Sequence, residues 1–270
     1  MIQDIETRLD NRFADLPPRP EDFALCFRAD AVLLSLQGGA LHFPTVGECG
    51  GSGRYLFSIG ERRYYLCEAA PFGDYAYEAV AVLRQYPPRE QAFAGVTALH
   101  LYRWYRDHRF CGRCGAVMRH SQTERAMVCG CGNTVYPAIA PAVIVGVENG
   151  DKICLTKYNR GYAHWALVAG YTEIGETPEQ TVEREVMEET GLRVKNIRYY
   201  KSQPWGLSGS LLLGYFCEVD GSDAIRVDHD ELKEGRWFTA EEIDFPDDHF
   251  SLTREMIARF REGAWRTSPG

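Results

Sequence analysis

The apolar residues of this chain form short runs in its first part and longer runs and stripes in its second. Residues 1 to about 107 contain four runs with the composition of strands, separated by glycine-rich turns: ALCFRADAVLLSL, GALHFP, RYLFSIG and RRYYLCEA. The segment TALHLYRWYRDHRF then has apolar residues at helical spacing, namely Leu99, Tyr102, Trp104 and Tyr105. This pattern predicts a small α+β domain that ends in a helix.

The second part of the chain predicts strands on both sides of a central helix. NTVYPAIAPAVIVGVENGDKICLTK contains two apolar runs joined by a turn at Asn149-Gly150, and residues 166–169 form a further apolar run. EGRWFTAEEI predicts a strand followed by the start of a short helix. The final segment, SLTREMIARFREGAW, carries an apolar stripe at helical spacing, which favours a packing surface over a ligand site. The residues of this stripe are Leu252, Met256, Ile257 and Phe260.

The central helix is predicted by the signals at its two ends. Thr177 and Gln180 have the spacing of a capping box, and Pro178 suits the first helical position. Gly191 is placed to end the helix in the left-handed conformation. The core-facing side of this helix is expected to consist of Val182, Val186 and Met187.

Three glutamates share one end of a face of this helix, because they lie three and four residues apart: Glu185, Glu188 and Glu189. Like charges at such distances are destabilising unless a cation lies between them. Carboxylate ligation suits hard divalent cations, which favours magnesium or manganese. The alternative is a solvated acidic helix face. The helical clustering of the acids behind a glycine-containing loop favours the metal site.

Four cysteines form two closely spaced pairs, and each pair is followed by glycine, as in the two knuckles of a zinc ribbon. They are Cys111, Cys114, Cys129 and Cys131. The second pair is Cys-x-Cys, one residue shorter than usual. A redox role for Cys-x-x-Cys is the alternative, but a second pair at ribbon distance favours structural four-thiolate zinc. His108 and His120 are expected to be incidental surface residues, with His120 as the substitute ligand.

Composition and charge limit the remaining classes of function. The net charge of -8 argues against a general nucleic-acid surface, and the few basic residues of the ribbon form no dense basic and aromatic stripe. The N-terminal residues lack the apolar core of a signal peptide, and the longest apolar run, residues 138–147, is too short to span a membrane. Nine cysteines therefore predict thiols and metal ligation in the cytoplasm, with Cys26, Cys49 and Cys67 as packed thiols.

The segment of residues 170–192 resembles the Nudix box, G-x5-E-x7-R-E-x-x-E-E-x-G followed by an apolar residue, and every fixed position is present. Those positions are Gly170, Glu176, Arg184, Glu185, Glu188, Glu189, Gly191 and Leu192. The ribbon before Tyr136-Pro137 and the sequence Ser202-Gln203-Pro204-Trp205 resemble the zinc-ribbon NADH pyrophosphatase family of Nudix hydrolases. In that family the segment continues as Pro-Phe-Pro-x-Ser, whereas this chain has Gly206-Leu207-Ser208-Gly209 before Ser210.

The resemblance implies an α+β fold with three parts: a small N-terminal α+β domain (1–107), a zinc ribbon (108–137) and a C-terminal Nudix α/β/α sandwich with a mixed sheet (138–270). It implies a homodimer that hydrolyses the diphosphate of NAD(H), giving nicotinamide mononucleotide and AMP. The alternatives are another nucleoside diphosphate derivative (ADP-ribose, a dinucleoside polyphosphate or NAD-capped RNA), or a zinc-ribbon nucleic-acid binding protein. The altered centre of the SQPW segment keeps the choice of dinucleotide open.

The resemblance also implies roles for individual residues. Magnesium or manganese would be held by the backbone carbonyl of Ala169 and by Glu185, Glu188, Glu189 and Glu231, while Arg184 would orient these acids and Glu176 would support the loop. Which glutamate removes the proton from water stays open. The substrate contacts would be Glu124, Tyr136, Tyr171, Gln203, Pro204, Trp205 and Ser210. Tyr136 and Tyr171 could equally be packed aromatic residues.

Overall fold

The structure is a computed structural model that describes residues 1–159, 164–245 and 248–263. The chain forms two compact units. The N-terminal unit comprises residues Ile2–Ala138 and Trp205–Gly209, and the C-terminal unit comprises Met1, Ile139–Pro204 and Ser210–Gly270. The division into domains 1–107, 108–137 and 138–270 stays a prediction.

The N-terminal unit begins with seven short strands: β1 (Leu9–Asp10), β2 (Phe23–Leu25), β3 (Phe27–Arg28), β4 (Ala31–Leu34), β5 (Arg54–Ile59), β6 (Arg62–Leu66) and β7 (Ala76–Ala79). They form a four-stranded sheet in the order β1-β5-β6-β2 and a three-stranded sheet in the order β3-β4-β7. The predicted strand GALHFP is wrong, because this segment contributes only an isolated bridge between Ser35 and His42. Gly38, which precedes the segment, and Gly39, its first residue, have φ of 61° and 75°, a left-handed conformation that interrupts the extended chain.

Helix α1 (Arg89–Asp107) follows these strands and begins eight residues before the predicted segment, which started at Thr97. Gly95 obscured its first turns, since glycine in a helix interior reads as a breaker. A side chain at Gly95 would come within 3.0 Å of Leu83 and Phe43, so glycine permits close packing there. The predicted helical residues Leu99, Trp104 and Tyr105 are buried.

The remainder of the unit consists of a small ribbon and a thiol cluster. The ribbon strands β8 (Arg119–His120), β9 (Met127–Val128) and β10 (Thr134–Val135) form an antiparallel sheet in the order β10-β9-β8.

Cys26 and Cys67 are buried in one apolar cluster, against which Cys49 packs, and all three are free thiols. Burial raises the pKa of Cys67 to about 12 and also raises that of Cys26. The prediction of packed thiols is confirmed.

The described residues of the C-terminal unit form six strands and two α-helices: β11 (Ala140–Asn149), β12 (Lys152–Tyr158), β13 (Val168–Tyr171), α2 (Pro178–Thr190), β14 (Val194–Trp205), β15 (Ser210–Val219), β16 (Leu232–Thr239) and α3 (Leu252–Arg261). The sheet order is β14-β15-β11-β12-β16, and β13 pairs with β11. β15 lies parallel to β11, while β12 and β13 lie antiparallel to it, so the sheet is mixed. In the described residues no helix is long and apolar enough to cross a membrane.

The two faces of β11 bury different helices, because successive side chains of a strand point to opposite faces. Val143 and Val145 belong to an apolar cluster with Val182 and Val186 of α2. Ile144 belongs to the other cluster, which contains the complete α3 stripe. The predicted α+β class and α/β/α sandwich with a mixed sheet are therefore confirmed, and so is the packing role of the stripe.

Two local predictions in this unit are wrong. The strand predicted at residues 166–169 lies at Val168–Tyr171, and Ala166 makes only an isolated bridge with Thr156. Met187 was expected on the core side of α2 but is 42% exposed. The helical turn directs it away from Val182 and Val186, which are completely buried.

Candidate functional site

The ends of α2 are built as the sequence predicts. Gln180 donates its backbone N–H to the hydroxyl of Thr177 at 3.3 Å, and Thr177 donates its own N–H to the Gln180 side chain at 2.8 Å. Pro178 occupies the first turn, and Gly191 ends the helix with φ of 69°. These contacts satisfy backbone groups that a helix end leaves unpaired, which fixes the turns that carry the acidic residues.

Arg184 connects the loop before α2 with two of the acidic side chains. Its guanidinium donates to both carboxylate oxygens of Glu176, at 2.6 and 2.9 Å. It also donates to Glu185 at 2.7 Å, to Glu188 at 3.0 Å and to the backbone carbonyl of Tyr171 at 2.9 Å. Only a planar, multidentate cation can serve these acceptors together, so Arg184 orients Glu185 and Glu188.

Glu176 fixes the conformation of the loop. Besides its bidentate pair with Arg184, it accepts hydrogen bonds from the backbone N–H of Glu173 and from the hydroxyl of Thr181, each at 3.0 Å. The Arg184 hydrogen bonds, with the Glu173 N–H, lower the pKa of Glu176 to about 2. Glu176 therefore carries its negative charge throughout the neutral range and acts on the loop as a permanent acceptor.

Glu189 is the buried member of the acidic group, with 3% exposure. Burial is the main cause that raises its pKa to about 8, and the charges of Glu185 and Glu231 contribute to this increase. A backbone hydrogen bond from Ala169 acts in the opposite direction and lowers the pKa. Its Oε2 atom has no hydrogen-bond partner within the described residues. A buried carboxylate oxygen without a donor is destabilising, so this atom requires a proton or a cation.

Glu185 lies directly against Gly170 of β13. Burial raises its pKa although Arg184 lowers it. A side chain at Gly170 would overlap the carboxylate of Glu185, so this position accommodates only glycine while Glu185 keeps its place. The absence of a side chain at Gly170 therefore leaves the space that the carboxylate of Glu185 occupies.

Glu231 is brought to the acidic group by backbone contacts at the end of β12. Asn159 donates its N–H to the carbonyl of Glu231 at 2.9 Å, and its side chain donates to the carbonyl of His229 at 2.7 Å. On the other side, Asp228 donates its N–H to the carbonyl of Glu189 at 3.1 Å. The turn that carries Glu231 is therefore attached both to β12 and to the end of α2.

Tyr158, which the sequence reasoning missed, lies in the same neighbourhood. Burial and the charges of Glu189, Glu231 and Glu185 raise the pKa of its phenol. The sequence offers little signal for it, because a tyrosine at the end of an apolar strand is ordinary. Only the turn that returns residue 231 to the end of β12 reveals its surroundings.

The residues present fit a hard divalent cation. The side-chain donors are all carboxylate oxygens, one of them is buried and unpaired, and two of the carboxylates have raised pKa values that a cation would reverse. The acids are less tightly gathered than the cysteines, because among the described residues only the cysteine group places three or more ligand atoms within 4.8 Å of one another. Glu188 has a 58% exposed side chain, which is turned to Arg184.

The strand that leads into the loop places the other predicted residues of this unit. On β13, Ala169 pairs with Ile144 of β11, and Tyr171 pairs with Ala142 of β11. The side chain of Tyr171 is half-exposed, and its hydroxyl lies 3.3 Å from the hydroxyl of Ser210. The structure thus brings Tyr171 and Ser210 together, as expected of two contacts in one site.

Gln203 occupies a different environment from the one predicted for a substrate contact. It is completely buried. Its amide donates to the carbonyl of Phe250 at 2.8 Å and accepts from the N–H of Leu252 at 2.7 Å. Gln203 therefore holds the start of α3, while its neighbour Pro204 is exposed.

The altered segment after Pro204 packs within the N-terminal unit. A side chain at Gly206 would overlap the carbonyl oxygen of Val96 on α1, so the proline found here in the resembled family does not fit this backbone. Arg103 donates to the carbonyl of Leu207 at 2.6 Å and pairs with Asp30 at 2.7 Å. The guanidinium of Arg84 lies 5.5 Å from the ring centre of the half-buried Trp205.

The four ribbon cysteines form one cluster, with all sulfur atoms within 4.8 Å. The Cys111 and Cys131 sulfurs are 3.7 Å apart, and those of Cys114 and Cys129 are 3.5 Å apart. A tetrahedral zinc site with Zn–S bonds of about 2.3 Å separates its sulfurs by about 3.8 Å. The short Cys-x-Cys pair therefore still reaches the cluster, and the donors fit structural zinc.

The environment of Cys111 favours its thiolate. The backbone N–H of Arg113 and the side-chain amide of Asn133 each donate to its sulfur at 3.4 Å. The Arg113 contact, foremost among such hydrogen bonds, lowers the pKa of Cys111 to about 6. Thiolate is the form that binds metal.

The other predicted ribbon residues lie apart from the cysteine cluster. Tyr136 donates its hydroxyl to the exposed Glu124 at 3.0 Å, so these two residues form a pair on the ribbon surface. His120 is half-buried, with ring nitrogens bonded to Tyr105 and to the carbonyl of Ser121. The expectation of an incidental surface histidine is therefore wrong for His120, which is part of the aromatic packing. His108 is bonded to the carbonyl of Trp104 at 2.8 Å.

Comparison with known proteins agrees with this fold. Residues 138–260 match the NUDIX domain, and residues 106–136 match the NADH pyrophosphatase zinc ribbon domain. The C-terminal unit with its acidic α2 is therefore a Nudix domain. Together the two matches place a Nudix domain directly after an NADH pyrophosphatase zinc ribbon within residues 106–260 of this chain.

Individual relatives are similar over part of their length. The chain is 43% identical over 147 residues to the NAD-capped RNA hydrolase NudC of Pectobacterium atrosepticum, covering 54% of this chain and 56% of the relative. It is 41% identical over 162 residues to that of Salmonella schwarzengrund, covering 59% and 62%. A NUDIX hydrolase from Nitrosomonas europaea is similar in structure, with a TM-score of 0.52 and 25% identity over 60% of this chain and 95% of that one.

Proposed function

We propose that the protein hydrolyses the diphosphate bond of NAD(H) in a metal-dependent reaction that gives nicotinamide mononucleotide and AMP. The observation that carries the proposal is the buried, unpaired carboxylate oxygen of Glu189 beside Glu185 and Glu231. The NADH pyrophosphatase ribbon and the sequence Ser202 to Trp205 support NAD(H) as the dinucleotide.

The residues of the acidic site would have separate roles. Glu185, Glu189 and Glu231 would hold magnesium or manganese, together with Glu188 and the carbonyl of Ala169. When bound, such a cation neutralises phosphate charge and acidifies water. Arg184 keeps Glu185 and Glu188 oriented through its hydrogen bonds, and Glu176 keeps Arg184 in place. One of the glutamates would accept the proton of the attacking water.

The assay that tests this function uses purified protein with NADH and either magnesium or manganese. We expect AMP and reduced nicotinamide mononucleotide in equal amounts. Glu189→Gln should lower kcat at least a hundredfold, because the amide cannot supply an anionic ligand. Glu183→Gln, an exposed residue of the same helix, is the matched control and should keep the parental rate. NADH that stays intact, or a fully active Glu189→Gln protein, contradicts the proposal.

NAD-capped RNA is a second candidate substrate, because the relatives named above carry that activity in their names. The scissile bond would be the same, so the same acids would serve. An RNA with a 5′ NAD cap should be converted to RNA with a 5′ monophosphate. The kcat/KM values for this RNA, NADH, ADP-ribose and a dinucleoside polyphosphate then rank the substrates.

We further propose a cytoplasmic homodimer in which Glu124, Tyr136, Tyr171, Pro204, Trp205 and Ser210 contact the substrate. The nine free thiols accord with a reducing compartment. Light scattering of the purified protein measures the oligomeric state, and a monomeric mass contradicts the homodimer. Tyr136→Phe, which removes only the hydroxyl bonded to Glu124, should raise KM for NADH if this pair contacts substrate.

A further inference from the structure

A cleft of about 670 Å³ is lined entirely by residues of the N-terminal unit, none of which has a role in the proposed reaction. Its walls come from β3, from the segment after β6, from β7 and from the end of α1. We call it the arginine–tyrosine cleft, after Arg28, Arg106, Arg109, Tyr77 and Tyr102. Its volume lies in the range of small-molecule sites.

The cleft is locally positive although the chain carries a net charge of -8. Three arginines line it against one acid, Glu68. Arg106 pairs with Asp107 at 2.7 Å. Arg109 is exposed, and within the part of the chain that the structure describes its side chain forms no ion pair. Clustered guanidinium groups on an acidic protein favour an anionic ligand.

The aromatic walls are already arranged to hold these cations. The guanidinium of Arg28 lies 4.5 Å from the ring centre of Tyr77, and that of Arg106 lies 5.7 Å from the ring centre of Tyr102. Phe27 stacks on Tyr102 at 5.1 Å and 22°. A cation that rests on a ring loses less freedom when an anion binds, so the cleft is preorganised.

The combination of rings and guanidinium groups narrows the ligand class. An inorganic anion contacts the guanidinium groups alone, and an apolar ligand leaves the arginines without anions. A nucleoside phosphate uses both, because its base stacks on aromatic or guanidinium planes while its phosphate pairs with arginine. Glu68 can accept a hydrogen bond from an amino group of the base.

We propose that the arginine–tyrosine cleft binds a nucleoside phosphate. Two sources carry this chemistry: a free mononucleotide, such as AMP, and a nucleotide within single-stranded RNA. The site consists only of N-terminal unit residues, so it would bind its ligand whether or not the acids of α2 hydrolyse NAD(H).

The test measures binding of a short, fluorescently labelled oligoadenylate and of AMP to the full-length, zinc-loaded protein. Arg106→Glu combined with Arg109→Glu should weaken binding of the occupant at least tenfold. Arg89→Glu makes the same charge reversal once, at the exposed start of α1, about 25 Å from Arg106, and should leave affinity within twofold. For RNA, losing two phosphate contacts should also reduce the salt slope by about 1.4.

A second variant separates stacking from charge. Tyr102→Leu removes the ring but keeps an apolar contact for Phe27, so it should weaken binding roughly five- to a hundredfold with an unchanged salt slope. A thermal melt of each variant establishes that it is folded, and NADH hydrolysis by each variant should match that of the parent. Retained hydrolysis with lost binding places the effect in the cleft.

The outcomes assign the occupant or overturn the site. AMP that binds and competes with RNA identifies a mononucleotide site, and RNA binding without competition identifies a strand site. Failure of both ligands to bind, or binding that neither cleft variant weakens, overturns the proposal. Because binding is read directly, a protein inactive on NADH tests this site equally well.

Discussion

Gly170 is the residue at which the acidic site depends on the absence of a side chain. The carboxylate of Glu185 occupies the space that a Cβ would fill, and Arg184 holds that carboxylate at 2.7 Å. A methyl group at position 170 has to displace either the backbone of β13 or the carboxylate of Glu185. Because Glu185 is a proposed metal ligand, the displacement affects chemistry before it affects the fold.

Gly170→Ala should lower kcat/KM for NADH at least tenfold and raise the magnesium concentration needed for half-maximal rate, with little change in Tm. Titration of magnesium against initial rate measures both effects. The matched comparison is Glu185→Ala alone and together with Gly170→Ala. If the clash is the cause, adding Gly170→Ala to Glu185→Ala has no further effect, whereas additive losses contradict it.

At the scale of elements, α2 is specified by its own ends. The reciprocal bonds between Thr177 and Gln180 and the left-handed Gly191 are local, so the sequence contained the information for this helix. Thr177→Ala should reduce the free energy of unfolding by about 1 kcal/mol, because the N–H of Gln180 loses its acceptor. Denaturant titration measures this difference, and Thr177→Ser, which keeps the hydroxyl, should stay near the parental value.

The ribbon is the element whose stability rests on a bound ion. We expect one zinc per chain, and Cys131→Ser should lower this ratio towards zero because only three thiolates remain. Metal analysis after exhaustive dialysis measures the ratio. Cys49→Ser, a half-buried thiol outside the cluster, should keep its zinc. Full zinc content in the Cys131→Ser protein would show that the short pair is dispensable.

Other elements depend on contacts that sequence cannot display. The first turns of α1 were missed because Gly95 reads as a helix breaker until Phe43 and Leu83 are placed against it. The strand at Val168–Tyr171 is set by its pairing with β11 rather than by its own apolar run. Gln203 resembled a ligand contact, and only the position of α3 shows that its amide is used internally.

At the scale of the whole molecule, acid stability should follow a contact between the sheet and α3. Glu255 accepts from Lys201 at 2.7 Å and from Tyr200 at 2.9 Å. Burial raises its pKa, but these hydrogen bonds outweigh burial and leave it below the ordinary 4.5. A carboxyl whose pKa is lower in the folded state stabilises fully above 4.5, and this stabilisation disappears as pH falls through the folded pKa.

In the Glu255→Gln variant, the free energy of unfolding should therefore fall less steeply than in the parent as the pH drops below about 4.5. The parental protein should lose about 1 kcal/mol more than the variant between pH 5 and pH 3. Urea titrations over this range measure it. Glu262→Gln, an exposed carboxyl just beyond α3, is the control and should lose stability as the parent does. Parallel curves for Glu255→Gln and the parent contradict the assignment.

The overall architecture was more predictable than the surroundings of single residues. The sandwich followed from the helix signals and from the resemblance carried by residues 170–192, and the order of strands confirms it. The placement of Glu231 beside Glu189 was available only through the resemblance, because it requires the turn attached by Asn159 and Asp228. The proximity of Tyr158 was not available at all.

The path of the chain through its two units has a consequence for synthesis. The N-terminal unit takes residues Trp205–Gly209 from far beyond its own end at Ala138. Until these residues have left the ribosome, the backbone of α1 at Val96 lacks the glycine that packs against it. At about 5–20 residues per second, residues 139–209 take roughly 4 to 14 s to translate. For that interval the nascent protein exposes a surface that a chaperone can occupy.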